Sequence, residues 1–282
     1  MCPCCNRTFN WLLKTYNASP QFKKLMPRTQ ADYESYKRII TGYKMKNGKP
    51  FGEAPIKRIK KTAIRAYLDK YKGGKAPIAA NRHIQYLKAA WGHCEQRIDS
   101  IPENPCKGVT LNEQKPRTRY VTQKEFSAFK SKTKGYVPLF MELAYLCRAR
   151  WSEIAALKTT DILPEGIRLV RGKGSEGEIT AWTNRLNAVV ASVQAYNSGA
   201  PSPISGSFLI HDKHGGAIRQ NAFQTAWQRL MVKYKKEGGV RFTFHDLKSA
   251  GYSDQKLQDA GHRSDRMHRV YNRKLRTVEP AE

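Results

Sequence analysis

Acidic residues are scarce in this chain: 23 Asp and Glu stand against 51 Lys and Arg over 282 residues, a formal charge of +28. A field of that sign repels cations and draws polyanions, which makes nucleic acid the leading partner. Long apolar runs are missing as well. No stretch approaches the roughly 18 consecutive apolar residues of a membrane-spanning helix. The basic residues are also spread along the chain instead of lining one amphipathic segment, so a membrane partner is set aside. Metal-ligand spacing is lacking too. Of Cys2, Cys4, Cys5, Cys94, Cys106 and Cys147, only the first three cluster, and they have no second pair of the kind a zinc site needs. No metal and no other cofactor is therefore expected. Met1-Cys2-Pro3-Cys4-Cys5 leads into polar sequence without the apolar core of a signal peptide, so free thiols in a reducing cytoplasm are expected. Internal repeats and low-complexity tracts are absent.

What is present suits two domains. In "RTQADYESYKRIITGYK", Tyr33, Tyr36, Ile39, Ile40 and Tyr43 recur at helical spacing, and Thr29 with Asp32 has the spacing of a capping box. A second helix is expected in "IKRIKKTAIRAYLDKYKG", and a third from about Ala79 to Ile98, with Ile84, Leu87, Trp91, Cys94 and Ile98 on one face. Prolines and glycine in "SIPENPCKGV" stop it. Residues 1–110 thus read as a helical DNA-binding domain. Its phosphate-facing surface is assigned to the lysines at 57, 60, 61, 70, 72 and 75 with Arg58 and Arg65: a merely soluble face would carry balanced charge. Residues 111–119, "LNEQKPRTR", are a basic linker whose Lys115, Arg117 and Arg119 are further DNA-contact candidates. Residues 120–282 read as a second domain. "PLFMELAYLCRARWSEIAAL" is an apolar helical region, and "GIRLVRGKGSEGEITAWT" reads as two short strands around a Gly-rich turn. The fold class expected is mainly α with a small β-sheet.

Chemistry concentrates toward the end of the chain. Thr243 and Asp246 have capping-box spacing, which starts a helix with His245 and Lys248 three apart on its first turn. Exposed N–H groups and the positive dipole end favour a phosphate there. Further on, "GHRSDRMHRVY" places Gly261 at a helix stop, His262 just after it, Ser264 as the next cap, and Tyr271 nine residues beyond His262.

These residues resemble the tyrosine recombinases, specifically the phage-type integrases. Such enzymes carry an Arg in an R-x-x-E helix motif, a Lys in a β-hairpin, H-x-x-R at a helix start, then Gly-His and a nucleophilic Tyr nine residues later. Here stand Arg150-Trp151-Ser152-Glu153, Lys173 within "RGKGSEGEITAW", His245-Asp246-Leu247-Lys248, Gly261-His262 and Tyr271, in that order. "RTQADYESYKRI", "APIAANRHIQYLKAAW" and "ENPCKGV" look like the family's helical core-binding domain, so the resemblance spans nearly the whole chain. It implies a core-binding domain followed by an α+β catalytic domain. The implied function is site-specific cutting and rejoining of DNA through a covalent 3′-phosphotyrosyl intermediate, without metal or ATP.

By that resemblance Tyr271 is the nucleophile, and Arg150, Lys248 and His262 stabilise the phosphorane. His245 assists the phenol proton, and Lys173 is the general acid for the leaving oxygen. Glu153 is read as a buttress for neighbouring cations. The implied partners are double-stranded attachment sites and three further copies of the chain in a homotetramer, with room for a host DNA-bending protein and an excisionase. The implied location is the cytoplasm of a bacterial host. An arm-site domain ahead of the core-binding one is not expected. One position departs from the pattern: Lys248 stands where the family has a second arginine, and lysine lacks the planar fork that grips two phosphate oxygens. That departure leaves open a DNA-binding protein of the same fold with impaired catalysis, and a nicking-closing enzyme like the type IB topoisomerases is a second alternative.

Overall fold

The structure, a computed structural model, describes residues 7–171, 177–198 and 207–254. The chain divides into two units, residues 1–115 and 116–282, with the break inside the stretch 111–119.

In the first unit, α1 (Phe9–Ala18), α2 (Pro20–Lys23), α3 (Pro27–Gly42), α4 (Lys61–Lys70) and α5 (Pro77–Glu95) contribute to one core. The starts have local causes. Thr8 accepts from the Trp11 N–H at 3.3 Å, Ser19 accepts from Phe22 at 3.2 Å, and Pro20, Pro27 and Pro77 occupy first turns, where a missing N–H costs nothing. The Thr29–Asp32 capping box does not form: Pro27 opens α3 earlier, and Asp32 pairs with Arg28 at 3.2 Å. Proline wins because its fixed φ is already helical. The second expected helix is broken into α4 between 3₁₀ turns at Ile56–Arg58 and Tyr71–Gly74, where Lys72 takes a φ of 50°. On α5, Ile84, Leu87, Trp91 and Cys94 are buried on one face, and the Trp91 indole donates to the Pro102 carbonyl at 2.8 Å. Ile98 lies past the helix end at Glu95 and packs on the same core.

The second unit holds α6 (Gln123–Lys130), α7 (Tyr136–Leu146), α8 (Trp151–Ala155), α9 (Asn184–Asn197), α10 (Gln220–Lys236) and α11 (Phe244–Ser253). Among the described residues it also has one antiparallel sheet, β1 (Ile162–Leu163), β2 (Gly166–Leu169) and β3 (Glu178–Ala181), in that order. The mainly α class with a small sheet is the one expected. The hairpin is β2–β3, with Leu169 opposite Glu178, while β1 is too short to leave an alternation in the sequence. α7 is the hub: Val137, Phe140, Met141, Leu143 and Ala144 are buried, and α8, α9, α10 and α11 pack on it. α11 comes so close that a Cβ on Gly251 would sit 2.0 Å from the Tyr145 carbonyl oxygen. Among the described residues no helix is long and apolar enough to cross a membrane.

Candidate active site

The site is assembled at the end of α7. There the Ala149 N–H reaches the Ala144 carbonyl (3.2 Å) and the Arg148 N–H that of Tyr145 (3.4 Å), a Schellman stop. Arg148 takes a φ of 49°, in the left-handed region that glycine favours. Its guanidinium holds Glu178 of β3 at 3.3 Å, a contact that fixes the strained turn. The reversal leaves Arg150 as the residue that opens α8. Its backbone N–H donates to Glu153 Oε2 at 2.7 Å and its Nη1 to Oε1 at 2.5 Å, so the R-x-x-E spacing closes on itself.

Glu153 is almost fully enclosed. Burial alone would raise its pKa, but the bonds from Arg150 and the charges of Lys248 and Arg171 hold it below the usual carboxylate range. Arg171, two residues past β2, donates to Glu153 Oε2 at 2.9 Å and to Glu178. Its two terminal nitrogens also take the carbonyls of Arg148 (3.0 Å) and Cys147 (2.9 Å), which the helix end leaves without intrahelical donors.

Lys248 arrives from α11. The start of that helix is set as the sequence suggested: the Thr243 N–H and hydroxyl donate to Asp246 Oδ2 at 2.8 and 2.7 Å. Lys248 is 3% exposed, and burial, then Arg150 and Arg171, push its pKa down to about 8, against the opposing pull of Glu153 and Glu178. Four cations (Arg148, Arg150, Arg171 and protonated Lys248) thus share two carboxylates, which leaves two positive charges in excess. Such a cluster can receive the charge that develops on a phosphate in displacement at phosphorus.

His245 and Lys248 lie three residues apart near the start of α11 but do not share an environment. His245 is exposed, at the rim of a cavity of about 510 Å³ that Arg117, Trp151, Arg241 and Phe244 also line. Arg117 donates to Thr243 Oγ1 at 3.3 Å. Lys173, His262 and Tyr271 lie outside the described residues, as do Cys2, Cys4 and Cys5. Cys94, Cys106 and Cys147 are free, buried thiols pushed up to about 11, 12 and 11 by burial.

Of the DNA-contact candidates, Lys57, Arg58, Lys60, Lys61 and Lys115 are exposed in the first unit and Arg117 in the second. Two are committed elsewhere. Arg65 grips Asp69 at 2.5 and 3.2 Å and the Thr110 carbonyl at 2.8 Å, and Arg119 is paired with Glu125.

Sequence reading missed Arg148, Arg171 and Glu178. One signal was available for Arg171: it continues the inward alternation of Ile167 and Leu169, both 0% exposed, and an arginine at an inward position calls for buried partners.

The family model of the phage integrases matches residues 119–277, more than half of the chain. The chain belongs to the phage integrase family. Its members are tyrosine recombinases, which cleave and rejoin DNA. Among solved structures, the integrase is similar to a lambda integrase dimer bound to a COC′ core site, at 19% identity and a TM-score of 0.77 over 98% of this chain and 81% of that one. A lambda integrase tetramer bound to a Holliday junction matches at 18% and 0.77 over the same shares. The Tn1549 transposon integrase in complex with circular intermediate DNA matches at 18% and 0.73, over 94% of this chain and 95% of that one. At those identities the likeness speaks for the fold. No curated protein sequence matches the integrase.

Proposed function

We propose that this integrase recombines DNA at specific attachment sites through a covalent 3′-phosphotyrosyl link to Tyr271, with neither metal nor ATP. The observation that carries the reading is the meeting of Arg150, from the start of α8, and Lys248, from α11, around Glu153. In the forward step the Tyr271 phenol oxygen attacks phosphorus, the P–O5′ bond breaks, and the enzyme holds the 3′-phosphate. The phenol proton passes to His245, and the departing 5′-oxygen takes one from Lys173. Arg150, Lys248 and His262 stabilise the phosphorane between the two. A 5′-hydroxyl of another strand then attacks the phosphotyrosine and releases the phenol. Because one ester replaces another, no external energy is needed.

Two duplexes and four copies of the chain suit this chemistry, and a lambda integrase tetramer on a Holliday junction supports that assembly. Residues 1–110 serve as the core-type binding domain and 120–282 as the catalytic one, joined by 111–119. A DNA substrate and free thiols fit a bacterial cytoplasm.

The test begins with attachment DNA selected from a random duplex library by binding, then rebuilt with a nick beside the cleavage point. Denaturing electrophoresis should show an adduct with the native chain and none with Tyr271→Phe, which should still bind. An adduct in the Phe variant would move the nucleophile elsewhere. Two marked duplexes should give recombinant product, and nicking-closing without exchange would favour the topoisomerase-like alternative.

A further inference from the structure

We propose that Arg171 is a positioning residue of the strand-transfer centre: its buried guanidinium ties Glu153, and through it Arg150, to the base of the β2–β3 hairpin, and its charge preserves the cationic surplus around Lys248. The proposal rests on the function given above. Three observations converge on it.

The first is connectivity. The Arg171 side chain, 6% exposed, joins Cys147 and Arg148 at the end of α7, Glu153 on α8 and Glu178 on β3. The end of α7 and the start of α8 border Arg150, and Lys173 follows Arg171 by two residues in the sequence. With both terminal nitrogens engaged, Arg171 acts on the reaction through Glu153 and not by gripping a phosphate.

The second is the division of Glu153. Its Oε1 accepts from Arg150 Nη1, while its Oε2 accepts from the Arg150 backbone (2.7 Å) and from Arg171 (2.9 Å). Arg171 therefore fixes the carboxylate plane that aims the Arg150 guanidinium, on a side chain that is 30% exposed. It also offsets the carboxylate charge, so that Glu153 does not cancel Arg150.

The third is the setting of Lys248. Facing it are Arg150 and Glu153 of α8, Arg171 beyond β2 and Glu178 of β3. Removing Arg171 withdraws a cation and releases two carboxylates, and all three changes favour the protonated lysine. The titration of Lys248 is thus a readout that a merely structural tie would not move.

The experiment compares the native chain with Arg171→Lys, Arg171→Gln and Glu178→Gln on the nicked attachment duplex. It is joined by NMR titration of the Lys248 side chain in ¹³C-lysine-labelled full-length protein, assigned with Lys248→Arg. Arg171→Lys keeps the charge and loses the four-way grip. It should bind DNA normally and cleave about 100-fold more slowly in single turnover, the scale of a misplaced reactive group. Arg171→Gln should cleave more slowly still, with the Lys248 midpoint above its native position. Glu178→Gln keeps an acceptor for Arg171 and removes a negative charge, so the midpoint should drop below native. This third variant keeps the electrostatic claim testable should Arg171→Gln fail to fold. Native cleavage by a folded Arg171→Lys, or an unmoved Lys248 midpoint in the charge-removing variants, would overturn the proposal. Absence of any adduct with the native chain would instead refute the function reading, while the titration would still report on Arg171.

Discussion

In the proposed mechanism activity turns on Lys248, which combines a fixed charge with a pKa pushed down to about 8. Below that pH it is ammonium and can stabilise a phosphorane; above it the charge is lost. Cleavage at sub-saturating DNA, which reports free-enzyme ionisations, should therefore fall as pH rises through about 8. Lys248→Arg stays protonated and should lack that limb. Lys248→Ala should lose roughly 10²–10³ in rate with little change in binding, the typical loss for one preorganised donor. A Lys248→Ala enzyme at native rate would reduce the lysine to a packing residue. The sign for stability is opposite in sense. The folded state binds this proton less tightly than the unfolded chain, whose lysine titrates near 10.5, so the penalty is complete below about 8 and fades between those values. At this scale capping-box spacing made His245 and Lys248 visible in the sequence, and the resemblance to the tyrosine recombinases added Arg150 and Glu153. It could not say that Lys248 would be buried and His245 exposed three residues away, since that depends on which side of α11 meets α7.

That meeting is decided at the scale of elements by a residue with no side chain. Gly251 lets the backbone of α11 rest against the end of α7, where an added Cβ would lie 2.0 Å from the Tyr145 oxygen and 2.9 Å from its carbon. Gly251→Ala must push the helices apart, at a cost of about 1–3 kcal/mol by analogy with overpacked cores, and must displace Lys248, which lies about one turn before it on α11. Chemical denaturation should show a lower midpoint, and single-turnover cleavage should fall with it. A variant as stable and as fast as native would mean that α11 does not rest on α7 this closely. Tyr120 and Tyr145 add a second fastening, donating to Asp254 just past α11 at 2.6 and 2.8 Å. Local chemistry foretold the start of α11, through Thr243–Asp246. It misplaced the start of α3, where Pro27 overrode Thr29, and ran two helices together across Cys147–Arg150, because an arginine in the left-handed position carries none of the warning a glycine would.

Over the whole molecule the charge of +28 is spread on both units, and acids such as Glu142 and Glu153 are paired with cations within the chain. The exposed cations are the candidates to meet phosphate. If Lys57, Arg58, Lys60, Lys61, Lys115 and Arg117 each neutralise one phosphate, counterion release gives a slope of about −5 in the logarithm of affinity against that of salt, and roughly a 10³-fold loss between 50 and 200 mM. Arg65 and Arg119, already bound to Asp69 and Glu125, should add little. Replacing Lys57, Arg58, Lys60 and Lys61 together by Gln should flatten the slope by three to four units. It should weaken binding alike on specific and random duplexes, because phosphate contacts carry no sequence information. Single-turnover cleavage of DNA already bound should stay near native, since none of the four belongs to the Arg150–Lys248 cluster. Equilibrium titrations at several salt concentrations measure the slope. A fourfold variant that keeps the native slope would remove this face of the first unit from the DNA path and leave Lys70, Lys72 and Lys75 as the next cations to replace.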